Sequence, residues 1–294
     1  MNNTPLRYPG GKSIMTPLFE RIIAGHGGGE DIVYAEPYAG GAGTAINLLL
    51  SEKVRAIRIN DAAIGIYSFW HSLINDGERF MHMIGNTPVN LAEWRRQRAI
   101  FKTAETPSFE LGFATFFLCR CNRSGILSAG PIGGQDEAMQ RRAKYKLDCR
   151  FNKPDLISRI RRIVDQRHRI TVSNLDALEF LRLIDDEHAL VYLDPPYYEQ
   201  GQALYLNYYR HDDHVSLANY LRYQARFDWV LSYDNVPPIL SLYSDFPLYQ
   251  YGLSYTAQSV KQGSELLTHS AGLSFPCPMK IKKKGGHISI LEIA

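Results

Sequence analysis

Apolar residues along the chain fall into two rhythms. Short runs at 32–35, 56–59, 170–172, 190–193, 229–232, 248–251 and 287–293 are bounded by turn-forming residues and read as buried strands. Between them, 42–51, 64–74, 175–183 and 213–226 carry apolar residues at helical spacing, and a further helix is expected from about Ser13. Strands that alternate with helices need crossover connections. The expected class is therefore α/β with a mostly parallel sheet.

From Asp76 to Asp165 the rhythm changes, with helical patterns and no buried strand. "ELGFATFFLCRCNRSG" (110–125) keeps helical spacing until it reaches a glycine. "SAGPIGG" (128–134) is a glycine–proline loop, and "QRRAKYKLDCRFNKPDL" (140–156) is basic with interleaved aromatics. The expected organisation is an α/β body from 1–75 and 166–294, with a mostly helical insertion at 76–165. Charge follows the same division. Residues 78–169 hold 18 Lys/Arg against 9 Asp/Glu; with a total of +3, the rest of the chain stands at −6. A basic segment on an acidic body suits a polyanion gripped by one region, although a solvated helical face would carry the same excess.

With 294 residues and 45% apolar content, the chain can bury a large core. Its apolar runs fall short of the ~18 residues of a membrane helix, and it opens without a charged-then-apolar leader, so a cytoplasmic protein is expected. Cys119, Cys121, Cys149 and Cys277 are too irregular for a disulfide frame and lack zinc-ligand spacing. Reduced thiols and no metal are expected.

Three stretches carry chemistry. "RYPGGKS" (7–13) ends like a phosphate-binding loop. That loop needs a glycine where Leu6 stands and a buried strand where 1–5 is polar, so an ATPase is disfavoured and Lys12 is left unexplained. "IVYAEPYAGGAGTAINLLL" (32–50) reads as strand, glycine turn and helix. Gly40, Gly41 and Gly43 let backbone approach a ligand, without matching the dinucleotide spacing. Asp61, at the end of the next strand, is placed to accept hydrogen bonds from ribose hydroxyls. Turn and acid favour an adenosine-bearing ligand; a plain tight turn with a capping aspartate is the alternative. In "ALVYLDPPYYEQ" (189–200) a strand ends at Asp194-Pro195-Pro196-Tyr197. Ligands of open α/β sheets bind beyond the carboxyl ends of the strands. Two prolines fix the backbone and remove two N–H donors. The remaining carbonyls, carboxylate and ring would accept hydrogen bonds from an amino group and stack a flat base.

In this order "RYPGGK", "EPYAGGAG" and "DPPY" resemble the Dam-type (D12 class) DNA adenine-N6 methyltransferases. "CNRSG" (121–125), "RFNKPDL" (150–156) and "GSELLTHS" (263–270) extend the likeness over most of the chain. The resemblance implies a Rossmann-like class I methyltransferase sheet with an inserted DNA-recognition domain. It implies S-adenosyl-L-methionine as cofactor, double-stranded DNA as partner, and methyl transfer to N6 of a flipped-out adenine. A cognate restriction enzyme is a candidate partner. By the same resemblance Asp194, Pro195, Pro196 and Tyr197 are catalytic. Tyr8, Lys12, Glu36, Gly40, Gly43, Asp61 and Asp194 bind the cofactor, Lys12 toward its carboxylate side. Asp176 either holds the cofactor's adenine or caps a helix. Asn122, Arg123, Arg141, Arg142, Lys144 and Lys146 are the candidate DNA contacts. Residues 127–148 depart from the family's DNA-reading hairpin, so no target sequence is implied. Cytosine N4 as the methylated amine, and a non-catalytic DNA-binding module of the same fold, stay open beside this reading.

Overall fold

The computed structural model describes residues 3–199, 209–252, 264–283 and 286–293. Its strands are β1 Val33–Glu36, β2 Ala56–Asn60, β3 Ile170–Ser173, β4 Ala189–Leu193, β5 Asp228–Asp234, β6 Leu248–Gly252, β7 Ser264–His269, β8 Met279–Lys283 and β9 Gly286–Glu292. They form one sheet in the order β3-β2-β1-β4-β5-β7-β6-β9-β8. The first five are mutually parallel. From β7 onward every pairing is antiparallel.

The helices are α1 Thr16–Gly25, α2 Gly43–Leu50, α3 Ile64–Asn75, α4 Gly77–Asn86, α5 Leu91–Thr103, α6 Phe109–Cys121, α7 Glu137–Arg142, α8 Lys153–Val164, α9 Ala177–Arg182, α10 His211–Tyr223 and α11 Pro237–Leu242. They cover both faces of the sheet, as buried parallel strands require. Alternate residues of a strand serve opposite faces. Leu190 and Tyr192 of β4 join a core with α1, α2, α3, α6 and α8. Val191 and Leu193 join a second core with α9, α10 and α11.

All seven expected strand segments are present. Two strands escaped the pattern. In β7, Thr268 and His269 are as buried as Leu266 and Leu267, so polarity hides the burial. In β8, Met279 and Ile281 are buried while Lys280 and Lys282 face outward. Its period is that of a strand at the sheet's edge, and the lysines shield that edge.

Residues 76–165 hold helices and no strand of the sheet. They have no core of their own. Phe116 of α6 stacks on Phe69 of α3 at 5.9 Å, and Phe80 of α4 packs edge-on to Phe69. Gly112 of α6 lies so close to the Ser68 carbonyl of α3 that a Cβ would overlap it. The limits at 76 and 165 therefore cut through continuous packing. The most solvent-exposed helix of the insertion is α7, none of whose residues is buried.

Candidate active site

The strand order turns back between β1 and β4, so a crevice opens beyond their carboxyl ends. A cavity of about 560 Å³ lies there. The turn after β1 forms one wall. Gly40 (φ +46) and Ala42 (φ 44) are left-handed, and Trp70 Nε1 holds the Gly40 carbonyl at 2.9 Å. A Cβ on Gly40 would stand 2.7 Å from the Tyr8 ring, and one on Gly43 2.8 Å from Ser13 Cβ. The glycines are thus needed because "RYPGGKS" lies directly on them. Thr44 Oγ1 donates to the Lys12 carbonyl (2.8 Å), and Thr4 Oγ1 donates to the Gly41 carbonyl (2.5 Å).

Two acids flank this turn, Glu36 buried and Asp61 half-buried. Glu36 accepts from the Ala45 N–H at the start of α2 (3.0 Å). Burial, set against that bond, pushes its pKa up to about 8. Asp61 accepts from the N–H groups of Gly40 (2.9 Å) and Ala63 (2.9 Å), tying the β1 and β2 turns together. Burial raises it to about 6. Both line the cavity. Asp176 accepts from Leu178 and Glu179 as the N-cap of α9, and it also lines the cavity. The two readings of this residue are compatible.

Asp194 leaves β4 into the same cavity. Its Oδ1 accepts from Ser232 Oγ of β5 (2.7 Å), which in turn lies 2.9 Å from the Tyr192 hydroxyl. The Lys12 ammonium reaches the same Oδ1 at 3.2 Å. Lys12 also donates to Glu265 Oε2 (3.0 Å) and to the Tyr197 hydroxyl (2.6 Å). An ammonium has three protons, and here all three have partners within the protein. Lys12 lines the cavity, and its ammonium turns there to two protein carboxylates. Burial opposes its charge, but Asp194 and Glu265 outweigh that and hold its pKa above the ordinary range. Two carboxylates around one ammonium also exclude a phosphate. Burial raises Asp194, and the Glu265 charge adds to the rise against the pull of Lys12 and Ser232. Past the turn, Asp234 accepts from the N–H groups of Tyr198 (2.9 Å) and Glu199 (2.9 Å), which fixes the backbone leaving Tyr197.

The insertion supplies the facing wall through Ile126, Leu127, Ser128 and Phe101. Asn122, expected to touch DNA, is instead wholly buried. Its Oδ1 accepts from Trp94 Nε1 (2.7 Å) and its Nδ2 donates to the carbonyls of Ile126 (2.9 Å) and Leu127 (3.0 Å). Both of its N–H donors are used and its burial keeps a base from its oxygen, so the residue shapes the wall loop. Arg123, Arg141, Arg142, Lys144 and Lys146 are exposed. They are not brought into the cavity. Gln140 bonds the carbonyls of Ile132 and Gly134 and the N–H of Leu147. That ties α7 to the loop preceding it, and Ile132 N–H bonds the Cys121 carbonyl at 2.8 Å.

Sequence reasoning missed Ser232, Tyr251 and Glu265 as members of the site. Only "GSELLTHS" offered a signal for Glu265, and it offered none for a role. No group of metal-binding side chains occurs among the described residues.

A doubly wound sheet with a glycine turn after β1, an acid after β2 and a cavity-lining carboxylate after β4 is the architecture of a class I methyltransferase. The comparison with protein families is more specific. The model of the D12 class N6 adenine-specific DNA methyltransferases matches residues 8–256, and the chain belongs to that family. It is an enzyme of this kind, whose family implies DNA as substrate and S-adenosylmethionine as methyl donor. Among solved structures, the rRNA methyltransferase aviRa from Streptomyces viridochromogenes is similar at 12% identity and a TM-score of 0.35, over 89% of this chain and 86% of that one. No curated protein matches the chain.

Proposed function

We propose that the enzyme methylates N6 of an adenine extruded from double-stranded DNA, with Asp194 as the acceptor that orients the amine. The observation that carries this reading is the position of Asp194. It lines the cavity, and Ser232 and Lys12 both hold its Oδ1. A cofactor fits the residues present. The cavity has the size of a small-molecule site. The Gly40–Gly43 turn permits close approach, Glu36, Asp61 and Asp176 offer acceptors, and Tyr8 covers the turn. S-adenosylmethionine, when bound, supplies a methyl group on a positively charged sulfur.

Adenine N6 is a weak nucleophile because its lone pair is delocalised into the ring. Asp194 and the Pro195 carbonyl would accept its two N–H groups and favour a more pyramidal nitrogen. They act by positioning and by stabilising the positive charge that grows there. Pro196 rigidifies the turn. N6 is out of reach inside the duplex, so the base must leave the stack at a cost of a few kcal/mol. Tyr197 would provide the stacking surface, worth about 1–3 kcal/mol. Arg123, Arg141, Arg142, Lys144 and Lys146 would hold phosphates on the exposed side of the insertion.

Asp194→Ala tests the reading. It removes the acceptor and leaves the basic insertion untouched. Methyl transfer to adenine, followed by N6-methyladenine detection, should be lost while most DNA affinity remains. Near wild-type methylation by this variant would refute the assignment. Wild-type product on cytosine N4 would replace the base.

A further inference from the structure

Glu265 lies beyond residue 256, where the family match ends. It does not line the cavity. Even so, its Oε2 gathers three donors: Lys12 Nζ (3.0 Å), the Tyr197 hydroxyl and the Tyr251 hydroxyl. Its side chain is 15% exposed. A carboxylate largely withdrawn from water is costly unless it is hydrogen-bonded and paired, and this one is both. Its donors come from three parts of the chain: the "RYPGGKS" segment, the turn after β4, and β6. Glu265 itself stands on β7, paired with Asp234 of β5 and Tyr251 of β6. Any rigid-body shift of the antiparallel strands would thus move the Asp-Pro-Pro-Tyr turn and Lys12 together.

We propose that Glu265 is a positioning residue of the methyl transfer: it draws part of the Lys12 charge away from Asp194, which stays a competent acceptor for the amine, and it fixes the ring of Tyr197 by its hydroxyl. The proposal rests on the reading of Asp194 given above. Without Glu265 the Lys12 ammonium, 3.2 Å from Asp194 Oδ1, has a single carboxylate left and collapses onto it. An acceptor neutralised in that way polarises an N–H group less. The ring of Tyr197, over which Lys12 sits at 4.9 Å, loses its anchor at the same time.

The test is the single-turnover methylation rate of Glu265→Gln across a pH series, with DNA affinity and wild-type methylation measured alongside. Glutamine keeps the size and loses the charge. The rate on the pH plateau should fall by about 100-fold, the scale of a misplaced reacting group, with DNA affinity unchanged. The acid limb of the profile should also move. Lys12, Glu265 and Glu36 are the titratable groups other than tyrosines facing Asp194, and Glu36 is held protonated up to about pH 8 by its burial. The hydroxyls of Tyr34, Tyr192, Tyr197, Tyr233 and Tyr251 stay protonated, held up by burial. The negative charge of Glu265 raises Asp194, so its removal lowers Asp194 and shifts the limb to lower pH. Glu36 is common to both proteins and cancels in the difference. A side chain that only stabilised the fold would slow the enzyme without moving the limb. A wild-type rate, or a slow enzyme with an unmoved limb, overturns the proposal. Should the glutamine variant not fold, Glu265→Asp serves. It keeps the charge and draws it back by one methylene, so the limb should stay while the rate drops, and a moved limb or an unchanged rate overturns the proposal. A wild-type enzyme that leaves adenine unmethylated would instead sink the functional reading on which this rests.

Discussion

Replacing Gly43 by alanine is expected to loosen the "RYPGGKS" element from the cofactor cavity while leaving the helix beneath it intact. Gly43 opens α2 with no left-handed backbone, so alanine meets no conformational barrier. Helix propensity alone would favour the change by about 1 kcal/mol. The obstacle is tertiary. The new Cβ would stand 2.8 Å from Ser13 Cβ and 3.3 Å from Ser13 Cα and N. Carbon atoms prefer about 3.5–4.0 Å, so Ser13 must retreat by about 1 Å. Three of the close atoms belong to or adjoin the backbone, and a rotamer change cannot relieve them. The adjacent Lys12 carbonyl would strain its bond to Thr44 Oγ1. Overpacking of this kind costs about 1–3 kcal/mol. If that cost falls on the closed position of the segment, cofactor affinity drops by roughly 5–150-fold. Calorimetry with S-adenosylmethionine reads the affinity, and thermal unfolding of the cofactor-free protein reads the helix. The expected pair of results is weaker binding with a melting temperature little changed. Wild-type affinity in a well-folded Gly43→Ala protein would show that the segment's seat on the glycine turn does not shape the cavity.

Reversing Arg141, Arg142 and Lys144 to glutamate should weaken binding to most DNA sequences and reduce the log–log salt slope by about 0.9 for each phosphate that is no longer neutralised; an unchanged slope would remove α7 from the interface. Asn122→Ala is the contrast, because it should lower the melting temperature by stranding the Trp94 N–H while leaving that slope alone. The buried Glu36 makes the cofactor-free protein sensitive to alkali. Its pKa rises from 4.5 to about 8 on folding, so the folded state binds the proton more tightly than the unfolded one. Its contribution to stability is present at low pH and is lost as pH climbs from 4.5 to about 8. Melting temperatures over that window should decline in the wild type and less steeply in Glu36→Gln, and parallel declines would remove Glu36 as the cause.

The strands at 33–36, 56–60 and 189–193, the left-handed turn at Gly40 and the rigid exit at Pro195-Pro196 were legible in the sequence because their causes are local. Side-chain period, left-handed φ at glycine and the missing proline N–H all act within a few residues. Asn122 and Lys12 show where local reading stops. Both are polar residues in short glycine-containing stretches, and the family resemblance assigned both to ligands. The fold buries Asn122 against a tryptophan N–H and sets Lys12 between two carboxylates at the cavity wall. Lys12 and Glu265 stand 253 positions apart, yet they meet because β7 inserts between β5 and β6. Strand order is fixed by how the whole sheet closes its two cores, and no window of the chain contains that information. Local chemistry thus named the turn that carries Asp194, and only the packed sheet could decide which charges surround it.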